Sequence, residues 1–310
     1  MSSPSGSAPV APQFQPMHIG EEAKPPLAVL PDPSTLFAER AMRFRTLAVD
    51  HQLKGYLTFL AGIADAQAAI LQKLPPVSLP DEDALARAFE FGMAPIARAS
   101  LPSEDAALKT LDLVLEALKS VEMPDKAMAA LEGVIASDET ERRAMIANVL
   151  ADSLPVEEIA EHIYVASAMQ VHFARLAALL PAGKLTPVSD GACPSCGGAP
   201  VASSVVGWEG SQSVRFVVCG TCATRWHVVR VKCVSCSSTK GIHYAHLQGT
   251  ADTLKAECCD SCKSYLKILY NITDPSLDPV ADDVASAGLD LLVKEQDFRR
   301  AGFNVFLAGF

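Results

Sequence analysis

With 310 residues, 49% apolar and 20% charged, the chain is long enough for two domains and too apolar to be a disordered polymer. A formal net charge of −10 argues against wholesale binding of phosphate backbones. No uninterrupted apolar run is long enough to cross a bilayer.

The first ten residues, Met1 to Val10, hold no basic residue and lead into no apolar core, so no signal peptide is expected. Nine cysteines without an export signal point to a reducing compartment, the cytoplasm, where paired thiols bind metal more often than they form disulfides. Residues 1–33 carry eight prolines and read as a disordered tail. Residues 34–182 read as an all-α bundle of six or seven helices. Tyr56, Phe59, Ile63, Ala66, Ile70 and Leu74 form one apolar stripe that stops at Pro75-Pro76. Ser103 is placed to cap a helix whose buried face is Leu108, Leu111, Leu115 and Leu118. A longer helical segment opens at Ser153 with Pro155, Glu157 and Glu158, then runs Ile159, Ile163, Ala166, Met169, Phe173 and Leu176. His162 and His172 on that helix lie ten residues apart, too far to share one face as a metal pair, and read as buried or interface histidines.

Composition shifts at Pro181-Ala182-Gly183-Lys184, and beyond it eight cysteines form four Cys-x-x-Cys pairs: Cys193/Cys196, Cys219/Cys222, Cys233/Cys236 and Cys259/Cys262. Adding 40 to the first four positions gives the last four, so a C-x2-C-x22-C-x2-C unit occurs twice. Two thiolates on each of two knuckles supply a closed tetrahedron for a borderline metal, with no open position for substrate. The eight cysteines are therefore the candidate metal ligands. The spacing permits sequential, interleaved or nested pairing of the knuckles. Each 22-residue interval contains strand-like stretches of its own, Val201–Val206 with Val214–Val218 and then Thr253–Glu257, which favours sequential pairing.

The expected modules are a first four-cysteine ribbon over 183–228 and a second over 229–272, each self-contained and needing little core because the metal closes it, with a core separate from that of the helical body; Arg225–Val231 and Tyr265–Tyr270 also suit strands. Residues 273–310 follow as a turn and a helix that docks on the body through Val284, Leu289, Leu291, Leu292 and Val293, with Asp278 capping and Asp282 and Asp283 in its first turn. The ninth thiol, Cys258, has no counterpart in the first repeat, where Val218 stands, and reads as a spare. From Gly183 to Thr273 nine Lys/Arg face five Asp/Glu, a surplus that offsets thiolate charge rather than recruiting nucleic acid. Trp208, Phe216 and Trp226 read as packing for these small modules rather than as stacking platforms for bases. No nucleophile elbow, phosphate loop, dinucleotide fingerprint or zinc-protease helix is present, so no catalytic or cofactor-binding residue is named.

A helical N-terminal domain, Cys193-Pro194-Ser195-Cys196-Gly197, three further knuckles and the trailing Asp274-Pro-x-x-Asp278-Pro-x-Ala-Asp282-Asp283 stretch resemble the formate dehydrogenase accessory protein FdhE family from about residue 34 onwards. The resemblance implies a cytoplasmic, non-catalytic maturation factor that binds the molybdenum-containing catalytic subunit of a respiratory formate dehydrogenase before export. It also implies two rubredoxin-like irons held by the eight knuckle cysteines. Four thiolates accept zinc as well as iron, and zinc stays open. A one-electron redox carrier, a zinc-ribbon nucleic-acid-binding protein and, more weakly, a thiol–disulfide oxidoreductase stay open as other function classes.

Overall fold

The computed structural model describes residues 24–209, 211–247 and 252–309. Of the tail expected over 1–33, residues 1–23 lie outside the described residues, whereas the last part is built into the fold. Ala28–Val29 is strand β1, and Asp32 caps the first helix by accepting the Ser34 amide at 2.9 Å. Pro33 at the first helical position gives up no needed donor there. Seven helices follow in the N-terminal body: α1 (Pro33–Ala48), α2 (Lys54–Ile70), α3 (Glu82–Glu90), α4 (Asp105–Leu118), α5 (Asp125–Ala136), α6 (Glu139–Leu150) and α7 (Ile159–Ala178). A reciprocal capping box between Asp138 and Glu141 starts α6. Ser103 does not cap α4. It belongs to a short 3-10 turn containing Pro102, donates its hydroxyl to Ser100 O, and leaves Glu104 at the cap.

α7 is buried on nearly every side and packs against α1, α2, α4, α5 and α6. Its two histidines are core residues. His162 Nδ1 donates to Glu158 O at 2.7 Å, and its Nε2 accepts from Asn148. His172 Nδ1 lies 3.0 Å from Thr110 Oγ1, whose own proton goes to Ala106 O, so the histidine donates and its Nε2 is bare. Burial first, then the charge of Arg175, push the His172 pKa down to about 4.

The cysteine-rich part contributes β2 (Pro200–Trp208), β3 (Ser211–Cys219), β4 (Arg225–His227), β5 (Ile242–Ala245), β6 (Leu254–Cys259) and β7 (Ser264–Leu269). The last segment adds α8 (Ala281–Ala285), α9 (Ala287–Lys294) and the short strand β8 (Arg299–Arg300). Each repeat makes a three-stranded antiparallel unit, β2-β3-β4 and β5-β6-β7. The units are not self-contained. β2 pairs with β7 in parallel, with Ser203 opposite Ile268 and Ser204 opposite Leu269, so one sheet runs β1-β4-β3-β2-β7-β6-β5. Its core continues into the helices: Phe37, Leu111 and Phe173 belong to the same buried cluster as Val201, Val217, Leu266 and Leu269. The expectation of separate cores is corrected on this point, because β2 and β7 are joint strands and are buried along most of their length.

Two buried charge clusters fix this arrangement. Arg215 on β3 is fully enclosed and bonds Glu257 on β6 at 2.9 Å, Ser203 Oγ, and the carbonyls of Arg230 and Lys232 in the link between the repeats. The second cluster is built on the acidic stretch after β7. Asp278 accepts the amides of Val280 and Ala281 and pairs with Arg40, while Asp282 pairs with Arg43, both arginines lying on α1. Asp283 is buried completely between Lys267 of β7 and Arg300 of β8, with Asn304 donating to it. Burial opposes its charge, and the two cations outweigh that and hold its pKa below the usual carboxylate range. These aspartates are thus ion-pair partners of three elements, more than first-turn helix acids. Val284 docks on the helical body as expected, Leu289 and Val293 pack instead against Ala256, Cys258, Tyr265 and Phe298, and Leu291 and Leu292 are exposed.

Replacing Arg215 by Met leaves the Glu257 carboxylate buried without its cation and is expected to cost about 3–5 kcal/mol, read from the denaturation midpoint. Adding Glu257→Leu should restore most of that loss; a double variant as unstable as the single one contradicts the assignment. For His172, the folded pKa lies below the unfolded value, so the unfolded chain binds the extra proton and stability is lost as pH falls from 6.5 towards 4. Between pH 7.5 and 5 wild type should lose about 2 kcal/mol more than His172→Gln in urea titrations.

Candidate metal centres

All four knuckles have the same backbone. The residue after each second cysteine is left-handed: Gly197 (φ 71°), Ala223 (59°), Ser237 (59°) and Lys263 (54°). Its amide donates to the carbonyl of the first cysteine in every case: Gly197 to Cys193 at 2.8 Å, Ala223 to Cys219 at 3.2 Å, Ser237 to Cys233 at 2.9 Å, Lys263 to Cys259 at 2.9 Å. This closed turn aims both sulfurs of a pair to one side. Only the first knuckle uses glycine where glycine is easiest; a left-handed L-residue costs roughly 1–2 kcal/mol at the other three.

The structure brings the eight sulfurs into two groups, Cys193, Cys196, Cys219 and Cys222, and Cys233, Cys236, Cys259 and Cys262, each with its ligand atoms within 4.8 Å of one another. The first and second knuckles therefore meet, and the third and fourth meet; the interleaved and nested pairings are not formed. In the first group the Cys193–Cys222, Cys196–Cys219 and Cys196–Cys222 separations are 3.5, 3.6 and 3.6 Å. In the second, Cys233–Cys262 and Cys236–Cys259 are 3.6 and 3.7 Å. A tetrahedron with metal–sulfur bonds of about 2.3 Å has an edge of roughly 3.8 Å, so four thiolates fit an ion without rearrangement. Each cluster could hold one metal ion, and all nine cysteines are free of disulfides.

The surroundings differ. In the first group burial opposes ionisation of Cys219, but the neighbouring thiols of Cys193, Cys196 and Cys222 hold its pKa well below the usual thiol range, while burial pushes Cys193 well above it. Arg98, on the loop between α3 and α4, stands beside Cys196 and Cys219; Asp152 and the sulfurs outweigh its burial and keep it charged. In the second group partial burial opposes ionisation of Cys262, but Ser264 Oγ at 2.9 Å from its Sγ, with the Cys236 and Cys233 thiols, brings it to about 7. Thr224 Oγ1 lies 3.2 Å from Cys222 Sγ but accepts from that thiol, its own proton going to Ser195 Oγ, and burial pushes Cys222 well above the usual thiol range. These hydroxyls were legible, since Thr224 and Ser264 also differ by 40. Arg98 was not, because nothing local in the sequence couples it to a cysteine 98 residues on.

Cys258 is in neither group. Strand alternation turns it to the opposite side of β6 from Cys259. It is buried against Tyr265, Leu289 and Phe298, and burial raises its pKa to about 11.

Family profiles described as "FdhE, N-terminal", "FdhE, central domain" and "FdhE, C-terminal domain" match residues 25–190, 192–230 and 231–307. This chain belongs to the FdhE family. A "Protein FdhE homolog" of Rhizobium meliloti (strain 1021) is 46% identical over 301 residues, covering 96% of this chain and 98% of the relative. One from Cronobacter sakazakii is 35% identical and covers 92% of each chain. The crystal structure of the FdhE protein from Pseudomonas aeruginosa aligns with a TM-score of 0.82 at 32% identity, covering 92% of this chain and 99% of that one. The family profiles change within the Cys-rich part at residues 230 and 231, in the link that Arg215 holds.

Pairwise replacement tests the ligand assignment. Cys193→Ser with Cys219→Ser should remove one ion per chain, and Cys193→Ser with Cys233→Ser should remove two, by elemental analysis of reductant-protected protein. Cys258→Ser should keep the full content. Loss of an ion in that variant moves the ligand by one residue.

Proposed function

We propose that this chain is a non-catalytic maturation factor that works in the cytoplasm, binds the catalytic subunit of a respiratory formate dehydrogenase and is needed for that enzyme's activity. Full-length membership of the FdhE family carries this reading, and two closed four-cysteine clusters agree with it, since neither keeps a position free for substrate. The described residues contain no helix long and apolar enough to cross a membrane.

In this reading Cys193, Cys196, Cys219 and Cys222 hold one ion, and Cys233, Cys236, Cys259 and Cys262 hold the other. Iron is our assignment from the family, with zinc the alternative that the same thiolates accept. Iron in four thiolates supplies a cross-link and one-electron chemistry, whereas zinc supplies the cross-link alone. A cleft of about 870 Å³ between the α1–α2 loop and α9 with β8 is our candidate face for the partner subunit, because such junctions commonly bind ligands. It is lined by Leu53, Leu291 and Phe298 with Asp50, Lys294 and Arg299.

Deleting the gene should lower formate dehydrogenase activity under respiratory growth on formate without lowering the catalytic subunit's transcript. The tagged protein should retain that subunit in a pull-down, and the purified protein should not turn over formate. Unchanged activity in the deletion strain refutes the maturation role, and salt-sensitive retention of nucleic acid in place of the subunit favours the zinc-ribbon reading.

A further inference from the structure

The sequence repeats its four-cysteine unit, yet the fold treats the two copies differently. In the first cluster every cysteine is sealed, with exposures of 0, 1, 1 and 0%. Both of its knuckles are tied to the helical body. The Ile96 amide donates to Ser195 O at 3.0 Å, Arg98 Nη1 to Thr221 Oγ1 at 3.0 Å, and Gln170 Nε2 to Gly220 O at 3.1 Å. In the second cluster Cys236 is exposed and Cys262 partly so, although Cys233 and Cys259 are buried. The tips of its knuckles, Ser235, Ser237 and Ser261, face solvent, and Ser238 and Ser261 bond to each other instead of to a helix.

We propose that the first cluster is a permanent clasp and the second is the exchange site, through which a metal ion enters and leaves the folded chain. The inference rests on the reading that both clusters hold metal. Ligand exchange at a four-thiolate ion needs an incoming donor to reach the metal while one sulfur swings away. One metal–sulfur bond breaks as one metal–donor bond forms, the freed thiolate takes a proton from water, and no electron moves. Cys236 and Cys262 meet both needs without any opening of the fold. For the first cluster the same event requires prior release of α7, the Arg98 loop or both, a local unfolding that limits the rate.

The test uses the full chain loaded with zinc, challenged with excess 4-(2-pyridylazo)resorcinol at pH 7.5, and followed by the colour of the released ion. Two ions per chain should leave in two equal phases, the first at least about tenfold faster, since the second waits on local opening. Cys236→Ser should abolish the fast phase and keep the slow ion. A single phase containing both ions, or loss of the slow phase in that variant, overturns the division of roles. Fewer than two ions before the chelator is added overturns the two-site reading itself, and the division with it. A second measurement needs no variant: wild-type protein treated with chelator and limiting N-ethylmaleimide is mapped by mass spectrometry. Modification should fall on Cys236 and Cys262 before any of Cys193, Cys196, Cys219 and Cys222; equal labelling of both clusters refutes the proposal.

Discussion

A carboxylate that cannot reach water has to be answered by cations, and Asp283 is the point at which this chain meets that demand. Lys267 comes from the second repeat, Arg300 from the last strand, and both converge on it. Its neighbours Asp278 and Asp282 extend the same hub to α1 through Arg40 and Arg43. Once β8 is drawn alongside β7, the chain that follows is in reach of the first repeat, where the Phe303 amide donates to Pro200 O at 2.8 Å. Ten residues of acidic loop and helix thereby hold the helical body and both cysteine repeats in one rigid relation. Such a cluster contributes specificity of arrangement more than net stability, because desolvating its charges consumes much of their attraction.

What could be read from the residues was whatever repeats or alternates. The 40-residue offset located the cysteines, and the same offset relates Thr224 to Ser264, a signal that went unused. The helical stripes located the body, since Ile63, Ala66, Ile70 and Leu74 are buried where the period placed them. What could not be read depended on contacts between distant segments. Ile242–Ala245 carries no alternation strong enough to announce a strand and is fixed by pairing with β6. Ala28–Val29 sits among prolines and becomes a strand only because β4 offers it an edge. Asp282 and Asp283 look like ordinary acids of a helix's first turn, and only the partners brought by α1, β7 and β8 set them apart.

Identical knuckles in unlike settings also separate two properties that a sequence motif conflates. The motif determines the turn, its left-handed residue and the direction of the sulfurs, and these agree across all four copies. It does not determine what covers the turn. Helices, Arg98 and the C-terminal segment cover the first pair of knuckles, and little covers the second. The two copies share their coordination geometry and differ in accessibility because of what packs on them.

The joint between the repeats has a further consequence. It brings the first strand of one repeat, β2, against the last strand of the other, β7, so equivalent surfaces do not meet each other. A contact of this head-to-tail kind generates an open series: β5 is the counterpart of β2, and β4 the counterpart of β7. Left bare, the outer edges of β4 and β5 would present on one molecule the two complementary halves of a filament-forming interface. β1 occupies the β4 edge, with Ala28 opposite Trp226 and Val29 opposite Arg225, and so ends the series on that side. The proline-rich approach to the first helix thus serves as the end-cap of a sheet whose own geometry contains no stop.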